Sequence, residues 1–160
     1  MKARKAQRFA ILRARFNEPI TRALLDGALS GFADAGVARK RIEVFEVPGS
    51  FDLPVAALWL AHTGKYHAIV CLGCVIRGAT QHYAYVAGEA ARGLGDVALE
   101  TGVPISFGVL TTDTADQAWA RAARRAEPAG DHIGERSEGN KGYEAAQCAV
   151  AMAALRAHIR

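Results

Sequence analysis

Residues 67–76, HAIVCLGCVI, constrain the fold more than any other stretch of this chain. They contain no Asp, Glu, Lys or Arg and do not alternate apolar with polar, so neither face of a strand built from them suits water. The run is also far short of the ~20 apolar residues that span a bilayer. A strand apolar on both faces belongs in a parallel sheet covered by helices on each side. It breaks at Arg77-Gly78, and the residues that follow, ATQHYAYV, deliver one histidine into a segment of alternating aromatics.

The rest of the chain alternates short β-like runs with helix-length segments. RFAILRA (8–14) reads as a strand, and PITRALLDGALSGFADA (19–35) as a helix with Pro19 in its first turn and Gly36 as its stop. Ile20, Leu24, Ala28 and Phe32 recur every four residues and so share one face of it. RIEVFEV (41–47) is the second strand, followed by the loop PGSFD and a helix over 53–61; 67–76 is the third strand. In the next helix Tyr83, Val86, Ala87, Ala90, Ala91, Leu94, Val97 and Ala98 keep a three-four spacing up to Gly102. Its small residues would let a helix of another subunit approach closely. PISFGVL (104–110) is the fourth strand. Thr114-Ala115-Asp116-Gln117 is a capping-box pattern opening a helix to about residue 126, 127–140 is the one long loop, and 141–159 is the last helix. Strands joined by crossover-length helices imply an α/β fold, a four-stranded parallel sheet with helices on both faces.

Composition sets the outer bounds. The chain has 160 residues, 51% hydrophobic and 22% charged. That is enough apolar material for one domain over 1–160, with 1–7 as a flexible N-terminus, and too little charge for disorder. A net charge of +4 suits small anions, and the basic residues are not interleaved with aromatics, which argues against a nucleic-acid surface. The basic N-terminus has an apolar core of only Phe9 to Leu12, too short for a secretory signal, so no membrane association and a cytoplasmic location are expected. The three cysteines are expected as reduced thiols. Cys71 and Cys74, with His62 and His67 upstream, have redox or zinc spacing. They fall inside a strand, however, where residues three apart point to opposite faces, so no metal is expected.

The residues that interrupt the pattern gather at one end of the sheet. Phe16-Asn17 follows the first strand, Ser50-Phe51-Asp52 the second, Arg77 to His82 the third and Thr111-Thr112-Asp113 the fourth. All lie beyond carboxyl ends of strands, where open α/β sheets bind ligands. RGATQH aims free backbone N–H groups and the positive end of a helix dipole at one point, an anion site suited to phosphate, with Thr80 able to cap the helix or touch the ligand. The alternative is a capped helix with nothing bound. His82, in the first helical turn, is placed to accept or relay a proton, because that end of a helix disfavours an imidazolium; otherwise it caps its own loop. In VPGSFDLP, Pro48 and Pro54 stiffen a loop whose Phe51 and Asp52 could stack on a planar ring and bond its edge. They could equally be a core aromatic beside an N-cap, and Phe16 has the same two readings. Arg121 is either solvated or aimed at an anion. In GNKG, Asn140 is placed to cap the last helix and Lys141 to reach an anion.

Together, ARFN (14–17), VPGSFDLP (47–54), LGCVIRGATQHYAYV (72–86), GVPISFGVLTTDTADQAWARA (102–122) and GNKGYEAA (139–146) resemble the lumazine synthases of riboflavin biosynthesis. The resemblance implies a flavodoxin-like three-layer α/β/α fold and a homopentamer with each site between two subunits. It implies no cofactor or metal, and riboflavin synthase as a further partner. The implied reaction condenses 5-amino-6-(D-ribitylamino)uracil with 3,4-dihydroxy-2-butanone 4-phosphate. The amine forms an imine with the ketone, phosphate is eliminated, and ring closure gives 6,7-dimethyl-8-ribityllumazine with loss of two waters overall. By resemblance, Phe16 stacks on the pyrimidine with Asn17 beside it. Ser50, Phe51 and Asp52 hold the ribityl chain and ring, and Cys74, Val75 and Ile76 add strand-end backbone contacts. Ala79 and Thr80 fall on the phosphate-binding amides and His82 on the proton donor or relay. Phe107 and Arg121 would come from the neighbouring subunit, the arginine neutralising phosphate, with Lys141 in a supporting electrostatic role. Asp52 stands where the family usually has glutamate. The segment from Arg124 to Ser137 is longer than the family's usual short connection, whose tight turn accompanies icosahedral shells; its length implies a free pentamer or an assembly other than the closed shell. The alternative expectation is a non-catalytic flavin- or lumazine-binding pentamer of the same fold.

Overall fold

The computed structural model describes residues 7–123 and 139–159. Strands β1 (Phe9–Ala14), β2 (Ile42–Val47), β3 (Ala68–Ile76) and β4 (Ile105–Thr112) form one parallel sheet in the order β2-β1-β3-β4. The long apolar strand is therefore internal, and Val70 pairs with Ile11 on one side and Ser106 on the other. Helices α1 (Glu18–Asp34), α2 (Leu53–His62), α3 (His82–Thr101), α4 (Ala115–Ala122) and α5 (Lys141–Ile159) complete the chain. Among the described residues no helix is long and apolar enough to cross a membrane.

Because strand side chains alternate, the sheet has a core on each face. Phe9, Ile11, Val70, Leu72 and Cys74 pack with α1, α4 and α5, and Ala10, Leu12, Ile69, Cys71 and Val75 with α2 and α3. Cys71 and Cys74 thus face opposite layers, as their spacing in a strand requires. Burial pushes both thiols up, Cys74 to about 11. The predicted α1 stripe, Ile20, Leu24, Ala28 and Phe32, is buried throughout. In α3 the stripe is narrower than predicted: Ala87, Ala90, Leu94 and Val97 are buried, but Ala91 is exposed.

Two boundaries differ from the sequence expectation. β4 runs to Thr112 rather than 110, because Thr111 and Thr112 pair with Val75 and Ile76. Those threonines extend the sheet, and of the predicted loop only Asp113 lies beyond it. α4 ends at Ala122 rather than near 126, with Ala123 already extended. The Ala122 carbonyl accepts from Asn140 Nδ2 at 2.6 Å, a partner no local pattern reveals. The capping box holds in part: Thr114 Oγ1 accepts from Gln117 N at 3.2 Å, while Gln117 Oε1 accepts from Asp113 N instead of the cap residue's own N–H. Residues 1–6 and the long insertion, 124–138, lie outside the described residues.

Asn140 caps α5 as predicted, its Oδ1 accepting from Tyr143 N at 3.1 Å, and its Nδ2 also donates to the Ala23 carbonyl at 2.9 Å. One buried amide thereby joins α1, α4 and α5. The α1–α5 contact is close enough to need glycine. A Cβ on Gly31 would lie 2.7 Å from the Tyr143 carbonyl oxygen, and one on Gly142 would overlap the Leu24 carbonyl. Since the obstacle is backbone inside a helix, it cannot swing aside. Gly142→Ala is expected to lower stability by about 3 kcal/mol, measured by denaturant unfolding at fixed protein concentration; an unchanged midpoint would contradict this packing.

Candidate active site

The loops leaving β1, β2 and β3 converge on a pocket of about 430 Å³ at the carboxyl edge of the sheet. Phe16, Ser50, Phe51, Cys74, Val75, Ile76, Thr80 and His82 all line it. The first loop is set by Asn17, the one non-glycine residue with positive φ (56°) among those described, a conformation asparagine tolerates. Its Nδ2 donates to the Cys74 carbonyl at 2.9 Å, anchoring the corner to the end of β3. Arg15 N and Phe16 N donate to the carbonyls of Val47 (2.9 Å) and Pro48 (3.1 Å), joining this corner to the second loop.

In that second loop Ser50–Asp52 form a short 3-10 turn, held by Asp52 Oδ2 accepting from Gly49 N at 2.9 Å. The Asp52 carboxylate is thus occupied by its own loop, and Asn17 and Asp52 brace the pocket rather than line it. Phe16 is 71% exposed and Phe51 62% exposed, so neither is a core aromatic. Ser50 is buried against β3, where Gly73 leaves room for its Oγ.

The third loop is organised by Arg77. Its N–H donates to the Thr112 carbonyl at 2.8 Å, its Nε pairs with Asp113 at 3.2 Å, and its guanidinium covers the Tyr83 ring at 4.8 Å while bonding the Tyr83 hydroxyl. The tyrosine hydroxyl, then Asp113, hold the Arg77 pKa above its ordinary value. Gly78, Ala79, Thr80 and Gln81 cross the mouth of the pocket exposed, ahead of the α3 N-terminus. Thr80 does not cap α3 as predicted: the N-cap is Gln81, without a side-chain cap bond, and Thr80 Oγ1 reaches only the His82 N–H at 3.4 Å. His82 is the first residue of α3.

Phe107, Arg121 and Lys141 are elsewhere. They line a second concavity, about 400 Å³, along residues 106–111 of β4, one of the two edge strands of the sheet, and the two pockets share no lining residue. Arg121 NH1 donates to the Gln117 carbonyl at 2.9 Å, and Lys141 Nζ lies 3.0 Å from the Glu144 carboxylate. The residues predicted for one site therefore form two groups within the subunit.

Several lining residues escaped the sequence reading. Tyr83 and Val86, expected in the packing stripe of α3, do pack against the core on that side of the sheet, and both also face the first pocket. Glu144 lines the second, and its position one helical turn beyond Lys141 was a readable sign of pairing. Chemically, the first pocket offers no activated nucleophile, since burial keeps the Cys74 thiol protonated near neutral pH. It offers aromatic walls, an exposed run of backbone before a helix N-terminus, and one imidazole. That set suits holding a planar ring and an anion side by side with proton transfer between them.

The sequence model of the family described as 6,7-dimethyl-8-ribityllumazine synthase matches residues 6–157. A Syntrophus aciditrophicus (strain SB) protein named 6,7-dimethyl-8-ribityllumazine synthase is 46% identical over 151 residues, covering 94% of this chain and 90% of that one. These matches span all four strands and both pockets, and the chain belongs to the 6,7-dimethyl-8-ribityllumazine synthase family.

Proposed function

We propose that the two pockets are halves of one active site, completed when the β4 edge of one subunit closes over the carboxyl-edge pocket of the next. The activity is that of the family. A transferase of riboflavin biosynthesis, the chain condenses 5-amino-6-(D-ribitylamino)uracil with 3,4-dihydroxy-2-butanone 4-phosphate to give 6,7-dimethyl-8-ribityllumazine, phosphate and water. The observation that carries the split site is electrostatic. No Lys or Arg is among the described residues that line the first pocket, while Arg121 and Lys141 stand together at the sheet edge.

In this reading Phe16 and Phe51 flank the pyrimidine and Ser50 meets the ribityl chain. The strand end at Cys74–Ile76 presents backbone to the ring. The amides around Ala79 and Thr80 receive the phosphate at the α3 N-terminus, and Arg121 of a neighbour, supported by Lys141, completes its neutralisation beside Phe107. His82 moves protons during imine formation and ring closure. Asn17 and Asp52 act through the loops they brace. Most of the rate comes from holding two reactants in register and stabilising the departing phosphate.

The exposed apolar residues support reading the assembly as a ring rather than a two-fold dimer. Val55, Trp59 and Tyr85 lie on the α2–α3 side, and Phe107, Trp119, Met152 and Leu155 on the β4–α4–α5 side. In the proposed assembly the first set packs against the second, a head-to-tail contact that gives a ring when its rotation closes. The resemblance makes that cycle a pentamer, working in the cytoplasm with riboflavin synthase as a partner. Mass photometry should find a free pentamer; a closed shell of many pentamers would overturn the assembly inferred from the long insertion.

His82→Ala is expected to lower kcat about 100-fold with both KM values nearly unchanged, and Arg121→Ala to raise the KM of the phosphorylated substrate about tenfold while sparing that of the pyrimidine. Steady-state kinetics showing the opposite pattern would reverse the roles. Co-assembling the two variants in equal amounts tests the split directly. With the phosphorylated substrate well below its KM, random neighbours should restore about a quarter of wild-type activity, whereas a site contained in one subunit would leave only the average of the two variants' own low activities.

A further inference from the structure

Strand β1 reads FAILRA and is buried along its whole length, yet its fifth residue is Arg13, 1% exposed. No other Lys, Arg, Asp or Glu among the described residues is buried. Arg13 NH1 donates to Thr21 Oγ1 at 3.2 Å, and NH2 is shared between Glu18, at 3.3 Å, and a close ion pair with Glu46. Its Nε has no partner. Glu46 is the residue opposite Arg13 in the β1–β2 register, and Glu18 and Thr21 belong to the first turn of α1.

Stability alone does not account for this group. A buried cation carries a large desolvation cost, and apolar replacements of similar volume are commonly neutral or stabilising. The carboxylates are about half exposed, so their pairing is weakened by solvent. What distinguishes Arg13 is its place. It ties together the ends of β1 and β2 and the start of α1, directly behind the two loops that carry Phe16 and Phe51. Beyond this cluster, the backbone bonds joining those loops are the two from Arg15 and Phe16.

We infer that Arg13 is a positioning residue, which through Glu46 and Glu18 locks the β1 and β2 ends so that Phe16 and Phe51 stand at the spacing a planar substrate ring needs. The inference rests on the reading of those two aromatics as the walls of the pyrimidine site. The cluster is intact at assay pH: the Arg22 bond, with help from Arg13, holds the Glu18 carboxyl below its ordinary value, and the Arg13 bond does the same for Glu46.

Arg13→Met, made in the full-length oligomer, separates positioning from bracing. The expected result is an unchanged or higher melting temperature together with a KM for the pyrimidine raised about tenfold, while the KM of the phosphorylated substrate stays within about twofold. The Arg15 and Phe16 amides, which donate across the two loops, should exchange hydrogen about tenfold faster. Arg13→Lys, which keeps the charge but loses the fork that reaches three partners, should show a smaller change in the same direction; it carries the test if the methionine variant does not fold. Unchanged pyrimidine KM and unchanged exchange would overturn the inference. So would a fall in melting temperature with both KM values rising together, the mark of a simple strut. Phe16→Ala serves as the control for the underlying reading. If it leaves the pyrimidine KM unaltered, the aromatic-wall assignment fails, and the exchange rates alone decide whether Arg13 locks the corner.

Discussion

Burial of β3 on both faces is the condition on which the site depends, and it creates a problem of register. In a strand with one polar face, a slip of one residue exposes the core and is strongly opposed. β3 has no polar face, so hydrophobicity cannot oppose such a slip. The opposition comes from close contacts. Gly73 leaves room for the Ser50 hydroxyl, a Cβ on Gly108 would sit 2.7 Å from a Leu72 methyl, and the Cys74 carbonyl takes the Asn17 amide. Shifting β3 by one residue would set Leu72 or Cys74 against Ser50. The contacts that fix the register are the ones that bring Ser50 and the Phe16 corner to the pocket.

The strands and helices were legible because their periodicity is a property of neighbouring residues. α1 and β3 matched their patterns closely, and the Thr114 cap formed where Thr-Ala-Asp-Gln placed it. What could not be read depends on distant partners. α4 stops where Asn140 takes its last carbonyl, and β4 continues for as long as β3 offers Val75 and Ile76 as partners. Phe16 and Phe51 were ambiguous because a core aromatic and a surface aromatic look alike in one dimension; their exposure removes the core reading. The Arg13 cluster left only one trace, a lone charge in an apolar strand. Its carboxylates come from β2 and α1, and no local rule brings them together.

The separation of Phe107, Arg121 and Lys141 from His82 has the same origin at a higher level. Family resemblance already implies that Phe107 and Arg121 come from a neighbouring subunit, and within the subunit they lie with Lys141 on another edge of the sheet. Under the proposed ring, assembly and catalysis become one property, since no subunit carries both the imidazole and the guanidinium of a single site. A surface change on the α2–α3 side could then abolish activity without touching a substrate contact.

The phosphate half shows why the neighbour matters. A helix N-terminus acts as roughly half a positive charge, while a phosphate monoester carries close to two negative charges near neutral pH. The α3 terminus and the exposed amides ahead of it can orient such an anion but leave most of its charge unbalanced, and no Lys or Arg is among the described residues that line the first pocket. A guanidinium supplies a full charge in a planar fork matched to phosphate oxygens. In the proposed site, stacking of the pyrimidine between Phe16 and Phe51 needs no such partner. Isolated subunits should therefore keep much of their affinity for the ring while losing the phosphorylated substrate, so the order in which the two affinities fail on dissociation reports where the charge comes from.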